Sequence, residues 1–154
     1  DGCEVRNMDI KAALMEPKTW VTLGSVVLIL ILGLGPLMTG LEGGTDHADS
    51  EHPELMASLS GEDKEAFVDV VNQELFVFGV WNVTICLMFL AMVNLTDGET
   101  QAKLAMVAAG SLLFVSGLGG YTVNGDAYFT EWVSLCAILA APMLITGYMK
   151  LNAE

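Results

Sequence analysis

Two histidines and three carboxylates fall within the seven residues Asp46-His47-Ala48-Asp49-Ser50-Glu51-His52. Imidazole and carboxylate are acceptable ligands for zinc, copper or manganese. Asp46, His47, Asp49 and His52, with Glu51 beside them, are therefore the candidate metal set of the chain. The spacing argues the other way. HxxxxH is neither the one-face pair of a helical HExxH nor any other closed ligand pattern, and Gly43 and Gly44 precede it. A solvated acidic segment, or a surface on which a partner docks, is the favoured expectation.

A second set lies further along. Gln73 and Glu74 stand where a polar passage gives way to an apolar run, and Asn82 and Thr84 lie inside that run, with Asn94 near its far end. Polar groups at such depth are costly, and they usually hydrogen-bond to a neighbouring helix or line a cavity. Structural bonding is the first expectation. The second is ligation of a pigment, since oxygen donors can bind a chlorophyll magnesium directly or through water; Gln73, Glu74 and Asn82 are the candidate ligands. A carotenoid or lipid in the helix grooves is the related expectation. No apolar run contains a histidine, which argues against a haem held between two imidazoles.

Other chemistries find no residues to carry them. No Asp, Glu, Lys or Arg lies near the middle of any apolar run, whereas ion-coupled transporters and proton pumps need such groups. Gly117-Leu118-Gly119-Gly120 follows an apolar helix pattern instead of a strand, so it is no phosphate loop. Hydrolase signatures are missing, and no enzymatic activity or small-molecule substrate is expected. Cys3, Cys86 and Cys136 lie far apart with no disulfide or zinc spacing. Met88 and Met92 fall in an apolar helix pattern, where filling a core is the better account than handling copper.

These residues must be positioned by a membrane protein. Of the 154 residues, 53% are hydrophobic and only 16% charged, and the mean hydropathy is +0.55, above the range of soluble domains. Four runs reach the ~20 residues that a membrane-crossing helix needs: 20–41, 75–95, 102–123 and 132–151. A backbone in lipid must satisfy its own hydrogen bonds, and runs of this length suit helices better than the short alternating strands of a barrel. The expected fold is all-α: an integral membrane four-helix bundle in one domain, with one long acidic loop, 42–74, between the first two spans.

Within that loop Pro53 is suited to open a short helical turn, and Ser60-Gly61-Glu62-Asp63 reads as a capping box that starts a helix near residue 61. Phe67, Val70, Val71 and Leu75 then recur at helical spacing, so a half-exposed helix is expected to run into the second span. Before the first span, residues 8–17 predict a short interfacial helix ending ahead of Pro17. Asn124-Gly125 predicts a turn between the third and fourth spans. Pro36 and Pro142, with Gly33 and Gly35, are candidates to kink the first and fourth spans, and for Pro36 plain helix punctuation near a span end is the favoured reading. Small residues four apart, Ala105/Ala109, Ser116/Gly120 and Ala137/Ala141, predict close helix packing.

Arg6, Lys11, Lys18, Lys103 and Lys150 fall on one side of the four spans and Lys64 alone on the other. The positive-inside rule then puts both termini on the cytoplasmic, stromal or matrix side and the 42–74 segment on the exterior or luminal side. Trp20, Tyr121, Tyr128, Trp132 and Tyr148 near the span ends fit the same framing. A chain starting at Asp1 fits removal of a leader. The 42–74 segment carries ten acids: Glu42, Asp46, Asp49, Glu51, Glu54, Glu62, Asp63, Glu65, Asp69 and Glu74.

Over the chain 19 acids face 6 bases, a formal net charge of −13, so nucleic acid is not an expected partner. The functional expectation is a non-catalytic accessory subunit of a large membrane complex, with other membrane subunits and lipid as partners. An acidic chain with an acidic luminal face leans toward a photosynthetic host, a photosystem or antenna in the thylakoid of a chloroplast. The alternative is a homo-oligomeric channel or carrier for a neutral solute, with Asn82, Thr84 and Ser116 lining a polar path.

Overall fold

A computed structural model describes residues 10–119, 121–122 and 132–153, without the side chains of 115 and 116. The described residues are helical with no strand, in the order α1 (10–14), α2 (Pro17–Glu42), α3 (Asp46–Glu51), α4 (Pro53–Ser58), α5 (Gly61–Leu95), α6 (Gly98–Gly119) and α7 (Ser134–Leu151). Of these, α2, α5, α6 and α7 are long and apolar enough to cross a membrane. The chain is thus an all-helical protein with the four apolar helices of a membrane protein. The long acidic loop is replaced by structure: α3, α4 and the first four turns of α5 fill most of 42–74.

The local reasons are readable. Gly43, at φ +70°, ends α2 in the left-handed conformation, its N–H donating to Thr39 O, a stop that glycine makes without strain. Asp49 N–H donates to Thr45 O at 2.8 Å to start α3, whose first turn carries Asp46 and Asp49, the sign the helix dipole favours there. Pro53 sits in the first turn of α4 as expected, where its missing N–H costs nothing. The helix expected near residue 61 begins at Gly61 and runs unbroken through the second span to Leu95.

Pro36 does not punctuate α2. It lies inside the helix, which continues to Glu42 after a π-helical stretch at Ile29–Leu34. A proline removes one helical hydrogen bond and crowds the carbonyl four residues back, and the wider turn ahead of it accommodates that loss. Pro142 likewise sits within α7, where Thr146 Oγ1 donates to Pro142 O at 2.7 Å. Ahead of α2, α1 ends before Pro17 as expected. Its last carbonyls are capped from the next helix: Thr19 Oγ1 donates to Ala13 O and Trp20 Nε1 to Leu14 O, both at 2.7 Å.

The chain divides into two compact units, one of residues 1–25 with 88–154 and the other of residues 26–87. In the first, α6 and α7 pack along one another. Ala102, Ala105, Ala109 and Ala140 are fully buried, as are Cys136 and Met143 nearly so. Gly147 lets the helices touch, since a Cβ there would lie 2.9 Å from Ala102 O and from Met106 Cγ. Ala105 and Ala109 are therefore packing positions, as their spacing predicted. Ala137 and Ala141 are not: both are exposed, and α7 packs through Cys136, Ala140, Met143 and Gly147 instead. The Ser116/Gly120 pair, the turn at Asn124-Gly125, Tyr128, Cys3 and Arg6 lie outside the described residues. Met88 and Met92 fill no core; both are exposed on α5, as an apolar side chain can be where the solvent is lipid.

One end of this unit carries a polar lock. Gln101 is buried, and its Nε2 donates to Val93 O at 3.0 Å and to Thr96 O at 2.9 Å, carbonyls that the end of α5 leaves without helical partners. Lys150 Nζ donates to Glu16 Oε2 at 2.6 Å and to Gln101 Oε1 at 3.3 Å. The start of α2, the α5–α6 connection and the end of α7 are thereby joined.

In the second unit, α2 crosses α5 backbone to backbone. A Cβ on Gly79 would lie 2.6 Å from Leu37 N and 2.7 Å from Gly33 O, and one on Gly40 would lie 2.6 Å from Asn72 O and Phe76 N. Glycine at 33, 40 and 79 is what permits the approach; in lipid, contact of this kind has to supply the association that the hydrophobic effect supplies in water. Beside the crossing, Ala48, Met56, Val68 and Val71 form a small core with Phe67 against it, so α3 and α4 form a cap on the first turns of α5.

Candidate functional site

The cap carries four carboxylates, Asp46, Asp49, Glu51 and Glu54, with Glu42 at the end of α2 and Glu62, Asp63, Glu65, Asp69 and Glu74 on α5 beside it. All ten acids of 42–74 are exposed, and Lys64 is the one base among them. Their helices are held from beneath by the apolar core, and Asn72 Nδ2 fastens the α2–α3 turn by donating to Gly44 O at 3.2 Å. Asn72 Oδ1 is buried without a hydrogen-bond partner. The result is an ordered surface of one sign.

The candidate metal residues Asp46, His47 and Asp49 lie on α3, with His52 at the joint to α4. The structure does not gather them: among the described residues no three His, Cys, Asp or Glu side chains come together as a metal site. His52 makes an edge-to-face contact with Phe67, ring centroids 5.6 Å apart, and Ser50 Oγ donates to His47 O at 2.9 Å. A single helix of six residues spreads its side chains around its axis, which is why closeness in sequence gives no chelate here.

Gln73, Glu74 and Asn82 all lie on α5 and are not gathered at one point, since Asn82 stands eight residues beyond Glu74, ~12 Å along the helix. With Val70, Val77, Phe78 and Trp81 they belong to an open, shallow surface patch formed by α5 alone. At ~100° per residue Glu74 and Asn82 are ~80° apart around α5, whereas Gln73 and Asn82 are ~180° apart, on opposite sides of the helix. Gln73 and Glu74 stand at one end. Asn82 stands at the other, its Nδ2 donating to Phe78 O at 2.8 Å. Between them Trp81 is 62% exposed, with Phe78 and Val77 beside it.

The other polar residues of α5 look inward to their own backbone: Thr84 Oγ1 donates to Val80 O at 2.8 Å and Asn94 Nδ2 to Leu90 O at 2.7 Å. Asn82 and Thr84 thus bond to their own helix, four residues back, and not to a neighbouring helix as expected; the Ser116 side chain lies outside the described ones.

Three sets of functional or packing residues had escaped the sequence reading. Gly33, Gly40 and Gly79 repeat at seven residues or across helices instead of at four. The Gln101–Lys150 lock joins residues 49 apart, so no local spacing announces it. Asn72 looked like one more polar residue of the loop, and only the burial around it makes it distinctive.

Comparison of the chain with protein-family models, with curated proteins and with solved structures finds no match.

Proposed function

We propose that this protein is a non-catalytic accessory subunit of a large membrane complex, docked to a neighbouring subunit through the α3–α4 cap. The observation that carries this reading is the cap with the helices it joins: four exposed carboxylates on α3 and α4, fixed by a dedicated apolar core, and six more at the end of α2 and along the first turns of α5, with a single lysine among them. A segment needed only to stay in water has no use for that core. Fixed charge of one sign steers and orients a partner of the opposite sign, so the partner surface is rich in Lys and Arg.

The same reading orients the chain. The end bearing Glu16, Gln101 and Lys150 faces the cytoplasm or stroma, where the basic residues gather, and the cap faces the exterior or lumen. A photosynthetic membrane, with its luminal acidic surfaces, is the host we propose for it.

Replacing Asp46, Asp49, Glu51 and Glu54 together by Lys tests the docking. Co-purification of the larger assembly should fall ~10-fold or more, as loss of complementary charge does at steered interfaces, and the wild-type complex should weaken as salt is raised. An assembly that survives both unchanged would remove the cap from the interface.

A further inference from the structure

Helix α5 is longer than a bilayer requires. Its 35 residues, Gly61–Leu95, extend ~52 Å, against ~30 Å of hydrocarbon. The apolar run 75–95 fills that thickness by itself. Residues 61–74 carry Glu62, Asp63, Lys64, Glu65, Asp69 and Glu74, and charge on this scale is excluded from lipid tails. They therefore project ~21 Å past the hydrocarbon edge. Headgroups occupy ~5–8 Å of that distance, and a tilt of ~20° shortens it by only ~6%, so the first turns of α5 stand in water.

Helix α2 marks the same level. Gly40 meets α5 between Asn72 and Phe76, where a Cβ would lie 2.6 Å from Asn72 O and from Phe76 N. So α2 leaves the hydrocarbon beside the point where α5 enters it, and Glu42 with the α2–α3 turn lies outside. The cap core packs on Val68 and Val71, ~6–11 Å beyond Leu75 along α5. That places α3 and α4 at the outer edge of the headgroups, with the start of α5 rising past them.

Resting on the docking role proposed above, we infer the class of the partner: a water-soluble protein with a Lys- and Arg-rich face that settles on the cap from the aqueous side. An integral neighbour meets this chain along its spans, within the ~30 Å of hydrocarbon, and the carboxylates lie beyond that reach. A soluble protein meets α3, α4 and the projecting turns of α5 directly. Charge of one sign draws it in and orients it, while an anionic headgroup surface is repelled by the same charge. Contact is not left to charge alone. Leu55 on α4 is 43% exposed and Val70 on α5 is 52% exposed, both outside the lipid tails. Apolar side chains inside a polar rim are the usual make-up of a protein interface.

The test is carboxylate-to-amine cross-linking on native membranes, before and after a wash at about 1 M salt, where the Debye length is ~3 Å. Before the wash, peptides of residues 46–65 should be joined to lysines of a protein that the wash releases while this chain stays in the membrane. After the wash the conjugate should fall at least ~10-fold, and it should return when the released protein is added back at low salt. Membranes carrying Glu62→Gln, Asp63→Asn and Glu65→Gln together should recover it roughly 10-fold less. Those three side chains are exposed, and slow amide exchange across residues 46–71 checks that the cap is intact. A conjugate that survives the wash, formed with a protein that itself crosses the membrane, would overturn the inference and leave the docking role standing. Rebinding unchanged by the triple substitution would overturn it as well. No conjugate before the wash would remove the docking role itself and this inference with it.

Discussion

Gln101 does more for this protein than its place at the edge of a span suggests. A buried amide that closes two orphan carbonyls is expensive to lose, because the carbonyls stay behind without partners. Lys150, bonded to the same side chain and to Glu16, differs in exposure: the Lys150 and Glu16 side chains are 26% and 53% exposed. Water screens that pair, so its share of stability is small. Gln101→Leu should cost ~1–3 kcal/mol and Lys150→Met no more than ~1 kcal/mol, measured by thermal or denaturant unfolding in detergent. The reverse order would mean that the ion pair, and not the amide, closes this end. Neither residue was legible beforehand as a partner of the other. In the sequence Lys150 shows only as a charge at the end of a span, and a contact across 49 residues leaves no local trace.

At the level of elements, the four spans could be read because each is a long apolar run, and length with hydropathy is a direct statement about lipid. The expected ends shift by a few residues for α2, α6 and α7; α5 is longer because the amphipathic helix ahead of the second span joins it without a break. The cap could not be read in the same way. Helices α3 and α4 have six residues each and are too short to show a period; they hold because Ala48 and Met56 find Val68, Val71 and Phe67 on α5. Short helices are marginal without such packing.

Met56, 1% exposed, is therefore the position on which the cap depends. Met56→Ala should remove ~2–4 kcal/mol from the local stability of residues 46–58, seen as faster amide hydrogen exchange confined to that segment. Exchange that stays slow there would show that α3 and α4 hold without their core. The packing glycines were missed for a geometric reason. Four-residue spacing marks one kind of crossing, whereas Gly33 and Gly40, seven apart, meet α5 around Gly79.

As a whole molecule, the protein covers little of its own apolar surface. Only 17% of the most apolar stretch of α5 is buried, and 38% in α6. In water such exposure would be untenable; in a bilayer, lipid or neighbouring subunits supply the cover. The two units differ in chemistry, with the Glu16–Lys150–Gln101 lock in one and the acidic cap of α3 and α4 in the other. What the acidic residues alone do not reveal is that Ala48, Met56, Val68 and Val71 hold α3 and α4 as helices, where the charge pattern reads as a solvated segment.

The most direct measurement is extraction of the native membrane in mild detergent, followed by native gel separation with absorbance and mass spectrometry of the band that holds this chain. The account predicts migration with a large assembly, one of whose subunits cross-links through lysines to the carboxylates of the cap. Migration as a lone chain or a small homo-oligomer, with no other subunit in the band, would contradict it.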